Sequence, residues 1–399
     1  MPPGVLESTR DETLAVLAEL VAFPTVTSRS NRELIAYARD YVERFGADTF
    51  EVTDDDGRRA NLFATFGPSA VDGGVVLSGH TDVVPPEPAG WSSPPFTATR
   101  RDDRIYGRGT VDMKGFLACV LATSTHFAEA ELTRPVHVAL TFDEEIGCQG
   151  APLLLDEVAD RGVRPGVAIV GEPTSMDIVY AHKGCYEYTT TIRGVERHGS
   201  TPDQGVSALE YGVRYVGKLL ELKERLRALD GDPEFSPPES TLNVGVIDAG
   251  SARNVVAGNC EIQWEMRPVT PDHAAIVLGA MATFERELDA ELRGRHPDAG
   301  LVRTTAGAVG GLAPSEASPA VSLLSSILPT ATHTVAAYNT EAGLYQSSGI
   351  PAAVCGPGDI DLAHRPDENL PLEQLDRCLE MLHALILELS ADEPLPEAD

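Results

Sequence analysis

Four short apolar runs in this chain each lead into residues that can bind a cation or move a proton, and that recurrence narrows the fold more than any other feature. Val136-His-Val-Ala-Leu-Thr-Phe142 runs into Asp143-Glu144-Glu145-Ile-Gly147. Gly74-Val-Val-Leu77 delivers Ser78-Gly79-His80-Thr81-Asp82, and Gly166-Val-Ala-Ile-Val170 delivers Gly171-Glu172-Pro173. Pro351-Ala-Ala-Val-Cys355 leads through Gly356-Pro-Gly358 to His364. Runs of this length read as buried strands. One acidic triplet at a strand end is commonly a solvated turn. In open α/β sheets, however, ligands bind outside the carboxyl ends of strands, so four such endings together read as a site.

Between these runs the sequence alternates strand and helix. Helices are expected from a capping box at Thr9-Arg-Asp-Glu12, with Leu14, Leu17 and Val21 on one face, and from about Arg32 to Phe45. Others follow over the stretch ending near Ala128, over 149–160, and over Leu372 to Leu389. Pro85 to Pro95 reads as a surface loop. This is the α/β pattern of a mostly parallel sheet with helices on both faces. The rhythm changes after Lys183-Gly184. A strand over 185–193, a helix with Leu209, Val213, Val216 and Leu220, two strands (241–248 and 258–267), a helix near 271–293 and a strand at 300–305 make a small α+β, ferredoxin-like insert. The expected organisation is therefore a catalytic domain in two parts, 1–182 and 306–399, interrupted by an inserted domain at 183–305. Glu393 to Asp399 reads as a frayed acidic tail.

At 399 residues, two domains are the natural expectation. The 61 acidic against 31 basic residues give a net charge of −30, which disfavours phosphate backbones and anionic membranes as partners. The six cysteines are scattered without a C-x-x-C pair, as expected of reduced, mostly buried thiols in a cytoplasmic protein. No run of 18 apolar residues is present.

His80, Asp112, Glu145, Glu172 and His364 form an imidazole and carboxylate ligand set without thiolate, suited to one or two borderline divalent ions such as zinc, cobalt or manganese. A carboxylate bridging two ions would hold them about 3.5–4 Å apart, as in co-catalytic hydrolase sites. Asp82, two residues beyond His80, is placed to accept the other imidazole N–H and fix the ring's tautomer.

Gly79-His80-Thr81-Asp82-Val-Val-Pro85, Gly107-Arg-Gly109-Thr-Val-Asp112-Met-Lys-Gly115, Asp143-Glu144-Glu145-Ile-Gly147 and Gly171-Glu172-Pro173 together resemble the M20 family of di-zinc metallopeptidases and deacylases. Thr340-Glu341-Ala-Gly343 and Ala363-His364-Arg-Pro-Asp-Glu368 extend the resemblance over nearly the whole chain. The resemblance implies two divalent ions, zinc first and cobalt second, with Asp112 bridging them, His80 and Glu172 on one and Glu145 and His364 on the other. It makes Glu144 the general base, Asp82 the residue orienting His80, and the insert a lid and dimerisation domain. His198-Gly-Ser-Thr-Pro202 matches the family's His-x-Ser-x-Pro turn, with Gly199 where Ser or Thr is commoner. By that match His198 reaches the neighbouring subunit's site in a homodimer, and Asn254 and Arg267 meet substrate; the plainer alternatives are a surface histidine and a strand-end ion pair. The activity implied is a metal-dependent amide hydrolase acting on a small N-acyl amino acid. N2-acetyl-L-ornithine, in arginine synthesis, is the leading substrate. A desuccinylase for succinyl-diaminopimelate, or a broader aminoacylase or carboxypeptidase, is the alternative within the family. A metal-binding scaffold without catalysis is the alternative outside it, and the intact Glu144 argues against that.

Overall fold

The computed structural model describes residues 3–315 and 317–391, so the acidic stretch 393–399 lies outside the described residues. The chain divides into two compact units. One comprises Met1–Ala181, Pro314–Val335 and Thr340–Asp399, the other His182–Ala313 and Ala336–Asn339. The first unit opens with α1 (Pro3–Ala22), α2 (Arg32–Glu43), β1 (Asp48–Thr53), β2 (Ala60–Phe66), β3 (Val75–His80), β4 (Thr99–Arg101) and β5 (Arg104–Tyr106). It continues with α3 (Lys114–Ala122), α4 (Ser124–Glu129), β6 (Val136–Thr141), α5 (Gly150–Asp160), β7 (Val167–Val170) and β8 (Ile178–His182). The second unit is built from β9 (Cys185–Arg193), α6 (Ala208–Arg227), β10 (Thr241–Ala249), β11 (Asn259–Arg267), α7 (Pro271–Arg295) and β12 (Gly300–Val309). The chain then completes the first unit with α8 (Pro319–Ile327), β13 (His333–Ala336), α9 (Ala342–Ser347), β14 (Ala352–Val354), β15 (Asn369–Pro371) and α10 (Leu372–Leu389).

The large sheet has the order β1-β2-β6-β3-β7-β14-β8-β13. Its centre, β6-β3-β7-β14, is parallel. Antiparallel β2 and β1 extend one side, and β8 pairs antiparallel with β14 on the other. Every residue of these four central strands is buried, which is why they read as unbroken apolar runs rather than alternating ones. Parallel pairing has a direct consequence: the carboxyl ends of β3, β6, β7 and β14 lie along the same edge. A small antiparallel sheet, β15-β5-β4, joins a late segment of the chain to the one just ahead of Asp112.

The second unit has an antiparallel sheet in the order β10-β11-β9-β12, the arrangement of a βαββαβ ferredoxin-like sandwich. Its core joins Ile192, Ile262, Trp264 and Met266 from the sheet to Tyr211, Tyr215, Leu219, Val277 and Leu288 from the helices.

Two local expectations are corrected. Helix α1 begins at Pro3, so Thr9 lies inside it and does not cap it; its hydroxyl donates to the Val5 carbonyl at 2.9 Å. On α6, Leu209, Val213 and Leu220 are exposed and Val216 is only partly buried. The face that packs carries Tyr211, Tyr215, Leu219, Leu222 and Leu226. Both faces have helical apolar spacing. The tyrosine face buries more area, and its hydroxyls are satisfied by Glu291 at 2.9 Å and Glu285 at 2.6 Å.

Candidate metal centre

All five expected ligands lie in the first unit, and four of them come directly from strand ends or from the turns beyond them. His80 is the last residue of β3. Glu145 lies in the single 3-10 turn after β6, Glu172 follows β7, and His364 follows the 3-10 turn at Ile360–Leu362 beyond β14. Asp112 stands in the turn ahead of α3. They form two groups that share Asp112: His80, Asp112 and Glu172, and Asp112, Glu145 and His364. His80 Nε2 lies 3.0 Å from Asp112 Oδ1 and 3.5 Å from Glu172 Oε1. His364 Nε2 lies 2.9 Å from Asp112 Oδ2 and 3.0 Å from Glu145 Oε2. Each carboxylate oxygen of Asp112 thus faces a different imidazole.

The turn after β6 sets the directions of the two glutamates. Asp143 adopts a left-handed conformation (φ 51°), and its carboxylate accepts from the Ser28 N–H at 2.8 Å and from the Arg59 guanidinium. The Glu144 and Glu145 N–H groups both donate to the Asp82 carboxylate, at 3.1 and 3.3 Å. His80 Nδ1 lies 2.9 Å from the Asp82 carbonyl and 3.5 Å from its carboxylate. A carbonyl can only accept, so Nδ1 carries the proton and the Nε2 lone pair is left for a cation. Asp82 therefore orients the ring mainly through its backbone, while its side chain fixes the turn bearing Glu144. The Cys148 thiol donates to Glu144 Oε1 at 3.5 Å.

The electrostatics of the cluster fit divalent cations. Burial first, and then the Asp112 charge, push Glu172 well up and Glu145 up to about 7. Burial, with the neighbouring Glu145, Glu341 and Asp112 charges, also raises Glu144 well above its ordinary value. Against the cost of its own burial, hydrogen bonds from His364 and His80 hold Asp112 below the usual carboxylate range. Hydrogen bonds to Asp112 and Glu145 raise His364 to about 10. Carboxylates forced together out of water in this way either take up protons or are neutralised by cations, which suits a site for divalent ions. Ligand bonds of about 2.0–2.2 Å around a tetrahedral ion place neighbouring donors roughly 3.3–3.5 Å apart; His80 and Glu172 stand at that spacing, and the pairs at 2.9–3.0 Å would open slightly around an ion.

His198, Asn254 and Arg267 all belong to the second unit. His198 and Asn254 are exposed and are presented together. His198 bridges Val255, the Gly199 N–H donates to the Asn254 carbonyl at 2.7 Å, and the Val256 N–H donates to the Arg197 carbonyl at 2.8 Å. A Cβ on Gly199 would lie 2.9 Å from that same carbonyl oxygen, so the glycine is what this close approach requires. The Ser200 N–H donates to His198 Nδ1 at 3.2 Å, which leaves the ring proton on the outward Nε2. Arg267 pairs with Glu265 on its own strand at 3.0 Å.

Several supporting groups escaped the sequence reading. Glu341 is buried, accepts from the Ser78 hydroxyl at 3.3 Å, and is raised to about 7 by burial. Lys114, fully buried, donates to the Leu20 and Phe23 carbonyls at 2.9 and 2.8 Å, tying the Asp112 turn to the end of α1. The only sequence signal for them was their place inside the quoted motifs.

A parallel-centred sheet whose strand ends gather two imidazoles and a shared carboxylate, with a free glutamate beside them, defines a metal-dependent hydrolase. Comparison with known proteins agrees. The profile of peptidase family M20/M25/M40 matches residues 76–388, and the chain belongs to that family. It is 38% identical over 368 residues to an acetylornithine deacetylase of Myxococcus xanthus, covering 91% of this chain and 94% of that protein. Among solved structures it is similar to an M20 family metallo-carboxypeptidase from Sulfolobus solfataricus (TM-score 0.74, 18% identity, 95% and 99% of the two chains). It is also similar to a dinuclear metal-binding M20 peptidase from Bacillus subtilis (TM-score 0.64, 15% identity, 96% and 98%).

Proposed function

We propose that this chain removes the acetyl group from N2-acetyl-L-ornithine, giving L-ornithine and acetate, as a cytoplasmic enzyme of arginine synthesis. The observation that carries the chemistry is the sharing of Asp112 between two ligand groups, with Glu144 beside them and outside both. The likeness to the Myxococcus xanthus protein supports the substrate.

In this reading His80, Asp112 and Glu172 hold one divalent ion and Asp112, Glu145 and His364 a second, with zinc ahead of cobalt for this donor set. Bound there, the ions would supply Lewis acidity toward the scissile carbonyl and lower the pKa of a water. The chain does the rest. Glu144, outside both ligand groups and steadied by the Cys148 thiol, takes a proton from the attacking water and returns it to the leaving amine nitrogen. Asp82 keeps the His80 proton on Nδ1 and fixes the turn from which Glu144 projects. The outward Nε2–H of His198 suits the oxyanion of the tetrahedral intermediate, and Asn254 and the Arg267 guanidinium suit the substrate's polar groups.

The same reading makes the enzyme a homodimer in which His198 serves the neighbouring subunit. Exposed Leu209, Val213 and Leu220 form an apolar stripe on α6, and β10, an edge strand of the second unit's sheet, exposes Val246 and Ile247. A second copy of the chain would cover both. The net charge of −30 is consistent with a small-molecule substrate and with no role for nucleic acid or membrane, and no described helix is long and apolar enough to cross a membrane.

A panel of N-acyl amino acids tests the substrate. N2-acetyl-L-ornithine is expected to give a higher kcat/KM than succinyl-diaminopimelate; a preference for the succinyl compound by about an order of magnitude (roughly 1.4 kcal/mol in the barrier) would make this chain a desuccinylase.

A further inference from the structure

Asp112 and His364 must meet at one ion although they lie 252 residues apart, and neither sits on a strand of the large sheet. What fixes their separation is visible in the small sheet. Strands β5 and β15 pair antiparallel, with Tyr106 opposite Asn369. The backbone pairing continues to the Gly107 N–H, which donates to the Glu368 carbonyl at 3.0 Å. Beyond that point the Glu368 side chain takes over. Its Oε1 accepts from the Val111 N–H at 2.9 Å and the Asp112 N–H at 3.2 Å, and its Oε2 accepts from Arg108 Nη1 at 2.7 Å. Both members of the ion pair are only 1% exposed. Arg108 is held in turn by Glu87 at 3.2 Å and by the Trp91 ring, and Asp367, next to Glu368, accepts from the Ser92 N–H and hydroxyl at 2.8 Å. The turn bearing Asp112 and the segment bearing His364 are thereby clasped through one carboxylate, four residues along the chain from His364.

We propose that Glu368 is a positioning residue that sets the distance between Asp112 and His364, and so the affinity of the cation those two ligands share with Glu145. This rests on the two-ion reading of the site. A side chain that only held the fold together would affect both ions alike. One that sets the Asp112 to His364 distance acts most on the ion shared by Asp112, Glu145 and His364, where both clasped segments supply ligands, and least on the ion held by His80, Asp112 and Glu172, which keeps His80 and Glu172 on their own strand ends.

The test is zinc binding by the full chain, measured by competition with a chromogenic chelator, at a temperature where circular dichroism and thermal unfolding show each variant folded. Glu368→Gln keeps one oxygen for the turn amides but loses the charge facing Arg108. It is expected to weaken one of the two ions about 10–100-fold and to leave the other within roughly threefold, the scale seen when a group supporting a ligand is removed. In a His364→Ala background, which retains the other ion, Glu368→Gln should then have little further effect. Glu87→Gln, which removes the outer partner of Arg108 without touching the turn, should leave both affinities unchanged. If Glu368→Gln does not fold, Glu368→Asp keeps the charge but falls one methylene short of the turn amides, and its zinc affinities decide in the same way. Equal weakening of both ions, or of neither, overturns the role given to Glu368. Failure of the wild-type chain to bind two zinc ions overturns the site reading itself, before Glu368 is in question.

Discussion

The strand-end cluster of the first unit and the histidine turn of the second treat polar groups in opposite ways. In the first, Asp82, Asp112 and Glu172 are almost wholly buried, and each has partners on other segments. In the second, His198 and Asn254 are exposed, and the apolar stripe on α6 is exposed with them. A buried cluster with surplus negative charge suits cations. An exposed histidine and an exposed apolar stripe suit a second surface. This is the contrast the proposed dimer would produce: a cluster built within one chain, and a histidine and an apolar stripe offered to a partner copy.

Loss of Glu144 should give the largest effect. Glu144→Ala is expected to cost roughly 10²–10⁴-fold in kcat while bound metal stays constant; near-wild-type turnover at full occupancy would assign the proton transfer elsewhere. His198→Ala should cost about 10²–10³-fold, the scale of an oxyanion donor, with KM moved much less than kcat. Mixing these two inactive variants sharpens the contrast between the units. In an isologous dimer with His198 acting in trans, one site of each mixed pair is intact, so re-pairing of equal amounts restores about a quarter of wild-type activity. No recovery after re-pairing, verified with differently tagged chains, would place His198 in its own subunit's site or in none.

A smaller effect is expected at the uncovered stripe. Val213→Asp changes a residue that is 60% exposed, so the fold should lose no more than about 0.5 kcal/mol. Sedimentation should nevertheless show dimers converted to monomers, and dimers that persist would move the interface elsewhere. An acid effect in the first unit touches stability alone. Burial lowers His137 to about 4, where it stacks on Phe63 and meets the Thr65 hydroxyl. In the unfolded chain a histidine titrates near 6.5. Between those values the unfolded state binds the extra proton, so stability falls with falling pH, by up to about 1.4 kcal/mol per pH unit. His137→Phe should flatten that stretch of the curve in a thermal melt series; an unchanged slope would assign it to other groups.

The candidate ligands were legible because each strand-end residue follows an unbroken apolar run, and parallel pairing then brings those ends to one edge. Asp112 was placed by motif alone, since it follows no strand of that sheet. The packing face of α6 was not legible. Aliphatic residues and tyrosines repeat at helical spacing on different faces, and sequence does not say which covers this core and which stays exposed. The clasp was equally hidden, because Arg108 and Glu368 meet across 260 residues and each reads by itself as a surface charge.

The cluster sharing Asp112 is expected to hold two divalent ions on which hydrolysis depends. Elemental analysis of the purified chain, paired with turnover of N2-acetyl-L-ornithine before and after chelation, tests it most directly. About two transition-metal ions per chain are expected in the wild type and about one in His364→Ala, with activity lost on chelation and regained on adding zinc or cobalt. Full activity in a chain carrying no transition metal would contradict it.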